Sequence, residues 1–260
     1  MNGEMIHQQR IPSPHPKIKL YLVTYWSDGL RVKGYLAEPE WGIQLPGLLY
    51  LRGGIKNVGM VRIARIIQWA AEGFVVMAPF YRGNRGGEGQ EDFGGEDRYD
   101  AYASFDLLKR HQRVCAKWIH VFGFSRGGIM ALLTGIERDV ASVTTWNGVS
   151  DMFLTYEERI DLRKMLKRVV GGTPTKVPER YQWRTPLENI AFIQGPVQII
   201  HGVKDEHVSV EHAYRLERAL REHGKRMHLR YFESYPHHFP PFEHRRILTE
   251  AADWMKQQQT

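Results

Sequence analysis

Ser125 is the residue whose setting first suggests chemistry. Residues 121–133 read VFGFSRGGIMALL, with Gly123 and Gly127 flanking Ser125 at two-residue spacing. The apolar run before the serine predicts a buried strand and the run after it a helix, so the turn between them must be very tight. A Gly-x-Ser-x-Gly segment in that setting is typical of a nucleophile elbow, in which glycines permit a strained backbone that lifts the hydroxyl clear of a sheet.

A serine hydroxyl is a weak nucleophile unless a base takes its proton, and the base needs a partner that holds its tautomer. Candidates for both follow predicted strands further along the chain. Asp205 lies in GVKDEHV after PVQIIH, and His237 and His238 lie in ESYPHHFPP after HLRYF. The order serine, acid, histidine is the one expected on an α/β sheet. The sequence therefore predicts Ser125 as nucleophile, Asp205 as acid and one of the two histidines as base.

Other side chains compete for these roles. Glu206 is adjacent to Asp205, and Asp151, in WNGVSDMF after the preceding strand, is a second possible acid. Aspartate also caps helices and forms turns, so Asp205 has a structural alternative of its own. His201 ends a predicted strand, which favours a structural role, and His207 is expected to be a solvated loop residue.

Acyl transfer to such a serine also needs two hydrogen-bond donors for the charge that develops on the carbonyl oxygen. One donor is the backbone N–H after the nucleophile, here that of Arg126. The other should come from the loop after the strand GLLYL, where RGGIKN offers Gly54 or Ile55. A simple tight turn at Gly53 and Gly54 is the alternative explanation for these glycines.

The elements that must position these side chains alternate along the chain. IKLYLVTYW and LRVKGYLAEP, joined by Ser27-Asp28-Gly29, predict a β-hairpin. Later strands are expected at GLLYL, FVVMAP, WIHVFGF, VASVTTWNG, GPVQIIHG and MHLRYFE, and helices at VRIARIIQWAAEG, YDAYASFDLLKRHQ, GIMALLTG, VEHAYRLERALREHG and EHRRILTEAADWMKQQ.

Strands separated by helices of this length need crossover connections, which imply a mostly parallel sheet with helices on both faces. We predict an α/β fold with a twisted sheet of about eight strands and an antiparallel hairpin at its N-terminal edge. The expected organisation is a flexible tail at 1–16 and one domain at 17–260, with a small helical insert at about 151–184. Ligands of such sheets bind beyond the carboxyl ends of the strands, where the candidate residues fall.

Composition limits the functional classes. The 260 residues carry 36 Lys and Arg against 29 Asp and Glu, a net charge of +7, but both signs are interspersed, as in LERALREHGKR. No basic run with interleaved aromatics is present, so no nucleic-acid partner is expected. No apolar window is long enough to span a membrane. A single cysteine, Cys115, and the lack of a secretory signal favour the cytoplasm.

No cofactor is implied by the sequence. The 12 histidines show no metal-ligand spacing, and one cysteine cannot supply a cysteine site, so no metal is expected. The glycine-rich loop at 81–95 lacks the Gly-Lys-Ser/Thr of a phosphate-binding loop and carries Glu88, Glu91 and Asp92. The oligomeric state is left open.

Several motifs together resemble one protein family. FYRGNRGGEG, GFSRGG, RTPLENI, HGVKDEHV and the C-terminal YPHHF are similar to the catalytic domain of the prolyl oligopeptidase family of α/β hydrolases, with its dipeptidyl peptidase and acylaminoacyl peptidase branches fitting best. The resemblance runs from Pro46 to the end of the chain. It implies an α/β-hydrolase fold and serine hydrolase activity without a cofactor.

The resemblance also implies roles for single residues. Ser125 matches the family's nucleophile and Asp205 its acid. His237 matches the base, because Pro-His-His-Phe here lies over the family's Gly-His-x-Phe. Gly54 and Arg126 lie over the oxyanion donors.

Departures from the family bear on the substrate. Large members carry an N-terminal β-propeller that restricts entry to short peptides, and these residues leave no room for one. The segment at 51–54, LRGG, also lacks the tyrosine that serves as a donor in some relatives. An open site with a small insert resembles compact esterase-like members. We therefore expect hydrolysis of small carboxylic esters through an acyl-enzyme, with a serine-type peptidase acting on short peptides as the alternative.

The insert is expected to cover the site. Its segment DMFLTYEERIDLRKMLKRVV presents Phe153 and Tyr156 as candidates to face the acyl group, with packing on the protein surface as the alternative. A hydrolase-shaped binding protein without activity is the rival from another functional class.

Overall fold

A computed structural model describes residues 1–259. Its sheet begins with three antiparallel strands, β1 (Met5–Ile11), β2 (Ile18–Ser27) and β3 (Leu30–Pro39). β2 and β3 pair without a break. The turn between them uses Asp28 and Gly29 at φ of 50° and 76°, the left-handed pair of a type I′ hairpin turn. The predicted hairpin is confirmed.

Strand β1 corrects the prediction of a flexible tail at 1–16. It pairs antiparallel with β2 at the edge of the sheet. The middle of its sequence, MIHQQRI, is exposed to solvent. A strand that buries so little apolar surface lacks the alternation by which strands are recognised, so backbone pairing rather than burial forms it.

The rest of the sheet is parallel from β4 onward. Its strands are β4 (Leu45–Leu51), β5 (Val75–Pro79), β6 (Val114–Phe124), β7 (Ser142–Trp146), β8 (Val197–Gly202) and β9 (Met227–Phe232). β5 pairs antiparallel with β3 and parallel with β4. The order is β1-β2-β3-β5-β4-β6-β7-β8-β9. The predicted mostly parallel sheet is confirmed, and it has nine strands because β1 adds one to the predicted set.

Helices cover both faces of the sheet. They are α1 (Ile63–Ala71), α2 (Arg98–Arg110), α3 (Gly127–Glu137), α4 (Met152–Glu158), α5 (Arg163–Val170), α6 (Pro178–Trp183), α7 (Val210–Glu222) and α8 (Pro241–Lys256), with 3₁₀ turns at Ile160–Leu162 and Leu187–Phe192. Along β5, Val76 and Ala78 share a core with α1 and α8, whereas Val75 and Met77 share a core with α2, α3 and α7. Alternate side chains of a strand point to opposite faces, so the two cores lie on opposite sides of the sheet.

Helices α4, α5 and α6 occupy the segment predicted as a helical insert, between β7 and β8. Their buried residues form a third core with the loop before α2 and the start of α3, in which Phe93, Ile129, Val149, Leu166 and Tyr181 take part. Among residues 1–259, no helix combines the length and the apolar character needed to cross a membrane.

Candidate active site

Ser125 lies at the tight turn between β6 and α3, as the glycine spacing predicts. Its φ is 56°, a left-handed conformation that costs a non-glycine residue about 1–3 kcal/mol. The surrounding backbone holds it there: the Ser125 N–H donates to Trp146, and the Ser125 carbonyl accepts from Gly128 and Val149. The side chain is partly exposed.

The flanking glycines are needed because the backbones around the turn are in contact. A Cβ at Gly123 would collide with the Gly127 carbonyl, and a Cβ at Gly127 would collide with the Leu51 carbonyl of β4. Gly53 has the same requirement, since its Cβ would lie 2.7 Å from the Ser125 Cβ and 3.2 Å from the Ser125 Oγ. These three glycines leave room for the serine hydroxyl at the carboxyl edge of the sheet.

Asp205 and His237 meet in the loops that follow β8 and β9. The His237 Nδ1 lies 2.7 Å from the Asp205 Oδ2. The other carboxylate oxygen, Oδ1, accepts from the backbone N–H groups of His207 and Val208 at 2.8 and 2.9 Å. Burial opposes ionisation of Asp205, but the hydrogen bond and charge of His237 and the two backbone donors hold its pKa below the usual value. An ionised Asp205 fixes the proton of His237 on Nδ1 and leaves Nε2 as the acceptor.

The competing acids have other partners. Glu206 is exposed, accepts the backbone N–H of His237 at 3.3 Å and lies 3.6 Å from the His207 Nε2. Asp151 caps the N-terminus of α4 through the Phe153 and Leu154 amides and pairs with Arg215 at 2.7 Å. Both carboxylates therefore make structural contacts. Among residues 1–259, neither contacts a ring nitrogen of His237 or His238.

The competing histidines are placed differently from His237. His238 is exposed, and its ring stacks on Phe124 with centroids 5.6 Å apart. The His201 Nε2 contacts the Val208 carbonyl at 2.9 Å, and burial lowers the pKa of His201, as expected of a structural residue. His207 is about half exposed.

The serine and the histidine share one cavity, but no hydrogen bond joins them among residues 1–259. Both line a cavity of about 540 Å³. The His237 ring packs 4.9 Å from that of Phe124, the residue before Ser125. Hydrogen bonds between a nucleophile and its base are often long without substrate and shorten in the complex, so the missing contact leaves His237 a candidate for the base.

The loop after β4 is held by two buried arginines. The Arg52 guanidinium donates to the carbonyl of Gly53 at 2.9 Å, and that of Arg126 donates to the carbonyl of Gly54 at 2.8 Å. Because C=O and N–H point in opposite directions across a peptide plane, the amides of Gly54 and Ile55 point away from those arginines. In the described part of the chain, neither the Gly54 N–H nor the Arg126 N–H donates a hydrogen bond to a backbone carbonyl.

Those arginines belong to a buried ionic network that sequence reasoning missed. Glu91 accepts from Arg52 at 3.0 Å and also from Arg126, and Asp97 accepts from the other side of the Arg126 guanidinium. Both guanidinium groups lie over the Tyr81 ring, at 5.1 and 4.9 Å. All the charged side chains are almost fully buried, so removing one partner would strand a buried charge.

Asn147, directly after β7, is a second residue that sequence reasoning missed. Its Nδ2 donates to the His237 carbonyl at 2.7 Å, and its Oδ1 accepts the Gly202 amide at 2.9 Å. One side chain thus joins the end of β7 to the end of β8 and to the loop after β9 that contains His237.

The insert lines the cavity with a different face from the one predicted. Thr155, Arg159, Leu162 and Met165 lie on the cavity wall, whereas Phe153 and Tyr156 do not. Both aromatic rings pack on Tyr181 of α6, with centroids 5.7 Å apart in each case. The prediction that Phe153 and Tyr156 face the acyl group is therefore wrong, because their side of α4 is taken by α6.

A family model for the prolyl oligopeptidase family matches residues 61–260, more than half of the chain. The chain belongs to the prolyl oligopeptidase family. A relative in Bacillus subtilis, named uncharacterized peptidase YtmA, is 58% identical over 254 residues, which are 97% of this chain and 99% of that protein. As a member of the prolyl oligopeptidase family, the chain is a serine hydrolase.

Two solved structures share the fold of this prolyl oligopeptidase family member. An acetyl xylan esterase from Paenibacillus sp. R4 has a TM-score of 0.74 at 17% identity, covering 94% of this chain and 88% of that one. An acylaminoacyl peptidase from Pyrococcus horikoshii has a TM-score of 0.77 at 18% identity, covering 97% of this chain and 50% of that one. The α/β-hydrolase fold predicted from the motifs is confirmed.

The sequence of this family member gives only weak indications of the residues that were missed. Asn147 is part of WNG directly after a strand, the position from which loop residues reach the site. Glu91 and Asp97 stand in a glycine-rich loop after β5, and their significance depends on Arg126, which lies in a different part of the sequence. Only the folded chain brings these charges together.

Proposed function

We propose that this protein hydrolyses carboxylic esters through an acyl-enzyme formed on Ser125. The observation that carries the proposal is that Ser125, at a strained elbow, and His237, held by Asp205, line one cavity. A nucleophile, a base and a group that orients the base are the three parts that acyl transfer by serine requires.

In the proposed reaction, the Ser125 Oγ attacks the ester carbonyl carbon while its proton passes to the His237 Nε2. The tetrahedral intermediate collapses, the bond to the leaving alcohol breaks, and His237 returns the proton to the leaving oxygen. Water then attacks the acyl-enzyme, giving its proton to His237, and release of the carboxylic acid regenerates the serine hydroxyl. Every proton moved in the first half is returned, and no other reactant is needed.

The proposed donors for the oxyanion are the backbone amides of Gly54 and Arg126. Both are without a backbone acceptor in the described residues, and the carbonyls beside Gly54 are fixed by buried arginines. Donors fixed before the reaction need no reorganisation when charge develops, which is the source of their catalytic effect.

Ester hydrolysis is preferred to peptide hydrolysis because the sequence resembles compact esterase-like members of the family, and an acetyl xylan esterase shares the fold of this chain. The alternative of a serine-type peptidase is supported by the relative at 58% identity, which is named a peptidase.

The test compares an activated short-chain ester, 4-nitrophenyl acetate, with alanine and proline 4-nitroanilides. We expect turnover of the ester and weak or no turnover of the anilides, with loss of about 10⁶-fold in kcat for Ser125→Ala. Efficient cleavage of the anilides would favour the peptidase. Ester turnover by Ser125→Ala near the wild-type rate would overturn both forms of the proposal.

A further inference from the structure

The cavity that contains Ser125 is lined by cations and by no acid. Its wall, among residues 1–259, includes no aspartate or glutamate. Of its arginines, Arg52 and Arg126 are neutralised by the buried network, and Arg159 pairs with Asp161 at 2.7 Å. Arg62 and Arg65, at the start of α1, are different, since neither lies within ion-pair distance of a carboxylate in the described residues.

The partner of Arg65 does not neutralise it. The Arg65 Nη1 lies 2.7 and 2.8 Å from the two ring nitrogens of His244 on α8. His244 stacks on Trp146, with centroids 4.7 Å apart. Burial and then the charge of Arg65 lower the pKa of His244 to about 3, so the ring is neutral at ordinary pH. Burial and the neighbouring Arg62 also lower the pKa of Arg65.

The nearby acid between α1 and α8 already has hydrogen-bond partners. Glu72, at the opposite end of α1, accepts from Arg245 at 2.7 Å and from the Thr249 hydroxyl at 3.0 Å. The charges of Arg62 and Arg65 are therefore left uncompensated by the protein at one end of the cavity. We call Tyr50, Arg62, Arg65 and His244 the arginine end.

The arginine end lies on the histidine side of Ser125. Arg65 contacts His244, the His244 ring stacks on Trp146, and the Trp146 ring lies 5.2 Å from that of Phe239, two residues after His237. The part of the cavity wall formed by Val149, Leu162 and Met165 belongs instead to the core of the insert, which contains none of the residues of the arginine end. In the proposed reaction His237 gives its proton to the leaving group, so the leaving group must lie on the histidine side. The arginine end therefore faces the leaving group, and the apolar wall faces the acyl group.

We infer that the leaving portion of the substrate carries a carboxylate, which Arg62 and Arg65 bind. The inference rests on the proposed function and narrows its substrate class. Guanidinium groups form paired, charge-assisted hydrogen bonds with carboxylates, and partial burial strengthens them. The Tyr50 hydroxyl is a third donor at this end, because among residues 1–259 it makes no hydrogen bond of its own, and its ring stacks on Phe122 at 5.2 Å. An acid-free cavity would, by contrast, give no partner to a substrate ammonium group.

The test uses pairs of acetate esters in which the leaving portion carries either a carboxylate or the corresponding neutral methyl ester. One pair is the acetate ester of 4-hydroxybenzoate and that of its methyl ester, and a longer pair uses 3-(4-hydroxyphenyl)propanoate and its methyl ester. Each kcat/KM is divided by the rate of hydroxide hydrolysis of the same ester, which corrects for leaving-group reactivity. We expect the corrected value to be about tenfold higher for the carboxylate in at least one pair, since a hydrogen bond to a charged group supplies a preference of that order.

Variants show which residues cause the preference for the carboxylate ester over the neutral ester. Arg65→Met should lower the ratio of the carboxylate to the neutral ester about tenfold, Arg62→Met should lower it less because that side chain is exposed, and Arg65→Lys should restore part of it. Arg218→Met, an exposed position on α7 outside the cavity, makes the same change in net charge and should leave the ratio unchanged. In the wild type, the ratio should fall as NaCl is raised, a measurement that needs no variant.

The outcomes separate this inference from the proposed function. Equal corrected kcat/KM values in both pairs, with the neutral esters turned over and Ser125 labelled by a fluorophosphonate, overturn only the carboxylate inference. A proportional fall for both esters in Arg65→Met, with no effect of salt on the wild-type ratio, shows a structural role for Arg65 and also overturns it. No turnover of any ester and no labelling of Ser125 overturns the proposed function and this inference with it.

Discussion

Replacement of Asp205 by asparagine should remove almost all activity while changing little of the shape of the site. Asparagine has the size of aspartate, but one of its terminal groups is an NH₂. The two backbone donors at 2.8 and 2.9 Å, from His207 and Val208, require an acceptor at the Oδ1 position. The asparagine oxygen must therefore take that position, and its NH₂ must face the His237 Nδ1.

An NH₂ group in that position reverses the tautomer of His237. Nδ1 then has to accept a hydrogen bond, so the ring proton moves to Nε2, the nitrogen that must accept the serine proton. In serine hydrolases in general, this wrong tautomer lowers kcat by about 10⁴-fold, which corresponds to a barrier higher by ~5.5 kcal/mol. We expect a loss of that size for Asp205→Asn in hydrolysis of 4-nitrophenyl acetate, and a similar fall in the rate of fluorophosphonate labelling.

The matched control is Glu206→Gln. Glu206 is the neighbouring carboxylate and is exposed; it accepts from the backbone of His237 at 3.3 Å and lies 3.6 Å from the His207 Nε2, but it makes no contact with the His237 ring in the described residues. Its replacement should change kcat by less than about threefold, as exposed positions generally contribute little. Far-UV circular dichroism should show that both variants are folded. If Asp205→Asn keeps more than a tenth of the wild-type kcat, or if Glu206→Gln is the more damaging change, the tautomer reasoning is wrong.

Three further predictions follow from the fold and the cavity. Gly53→Ala places a Cβ 2.7 Å from the Ser125 Cβ and 3.2 Å from the Ser125 Oγ, so the elbow must shift and kcat should fall about 10²-fold. Leu162→Trp should reduce kcat/KM for octanoate relative to acetate esters, whereas Tyr156→Leu, away from the cavity, should leave that ratio unchanged. His120 is neutral when folded because burial lowers its pKa to about 3 from 6.5. Below about pH 6.5 the unfolded chain therefore binds a proton that the folded chain does not, so the free energy of unfolding decreases as the pH is lowered. His120→Gln should remove roughly 2 kcal/mol of the stability lost between pH 7 and 5 in urea unfolding; an unchanged loss would contradict this.

The positions of the candidate site residues could be predicted because the rule behind them is topological. In a parallel sheet the carboxyl ends of the strands share one edge, so residues that directly follow strands converge there. Ser125 follows β6, Asp205 follows β8 and His237 follows β9. Residue order alone left His237 and His238 as alternatives, the family resemblance favoured His237, and His237 is the one whose ring contacts the Asp205 carboxylate.

Properties that depend on distant partners could not be predicted. Phe153 and Tyr156 are aromatic residues on a helix, and nothing local states whether that side meets a ligand or another helix; Tyr181 on α6 decides it. Strand β1 forms through backbone pairing with β2, which leaves no apolar pattern in its sequence. The pairing of Glu91 with Arg52 and Arg126 joins charges from three loops that are separate in the sequence.

The central claim is that Ser125 is the nucleophile of a serine hydrolase. The most direct measurement is to treat the protein with a fluorophosphonate, digest it and locate the adduct by mass spectrometry. We expect one adduct per chain, on the peptide that contains Ser125, with none on Ser125→Ala. An adduct on a different residue, or an intact protein that does not react while folded, would contradict the claim.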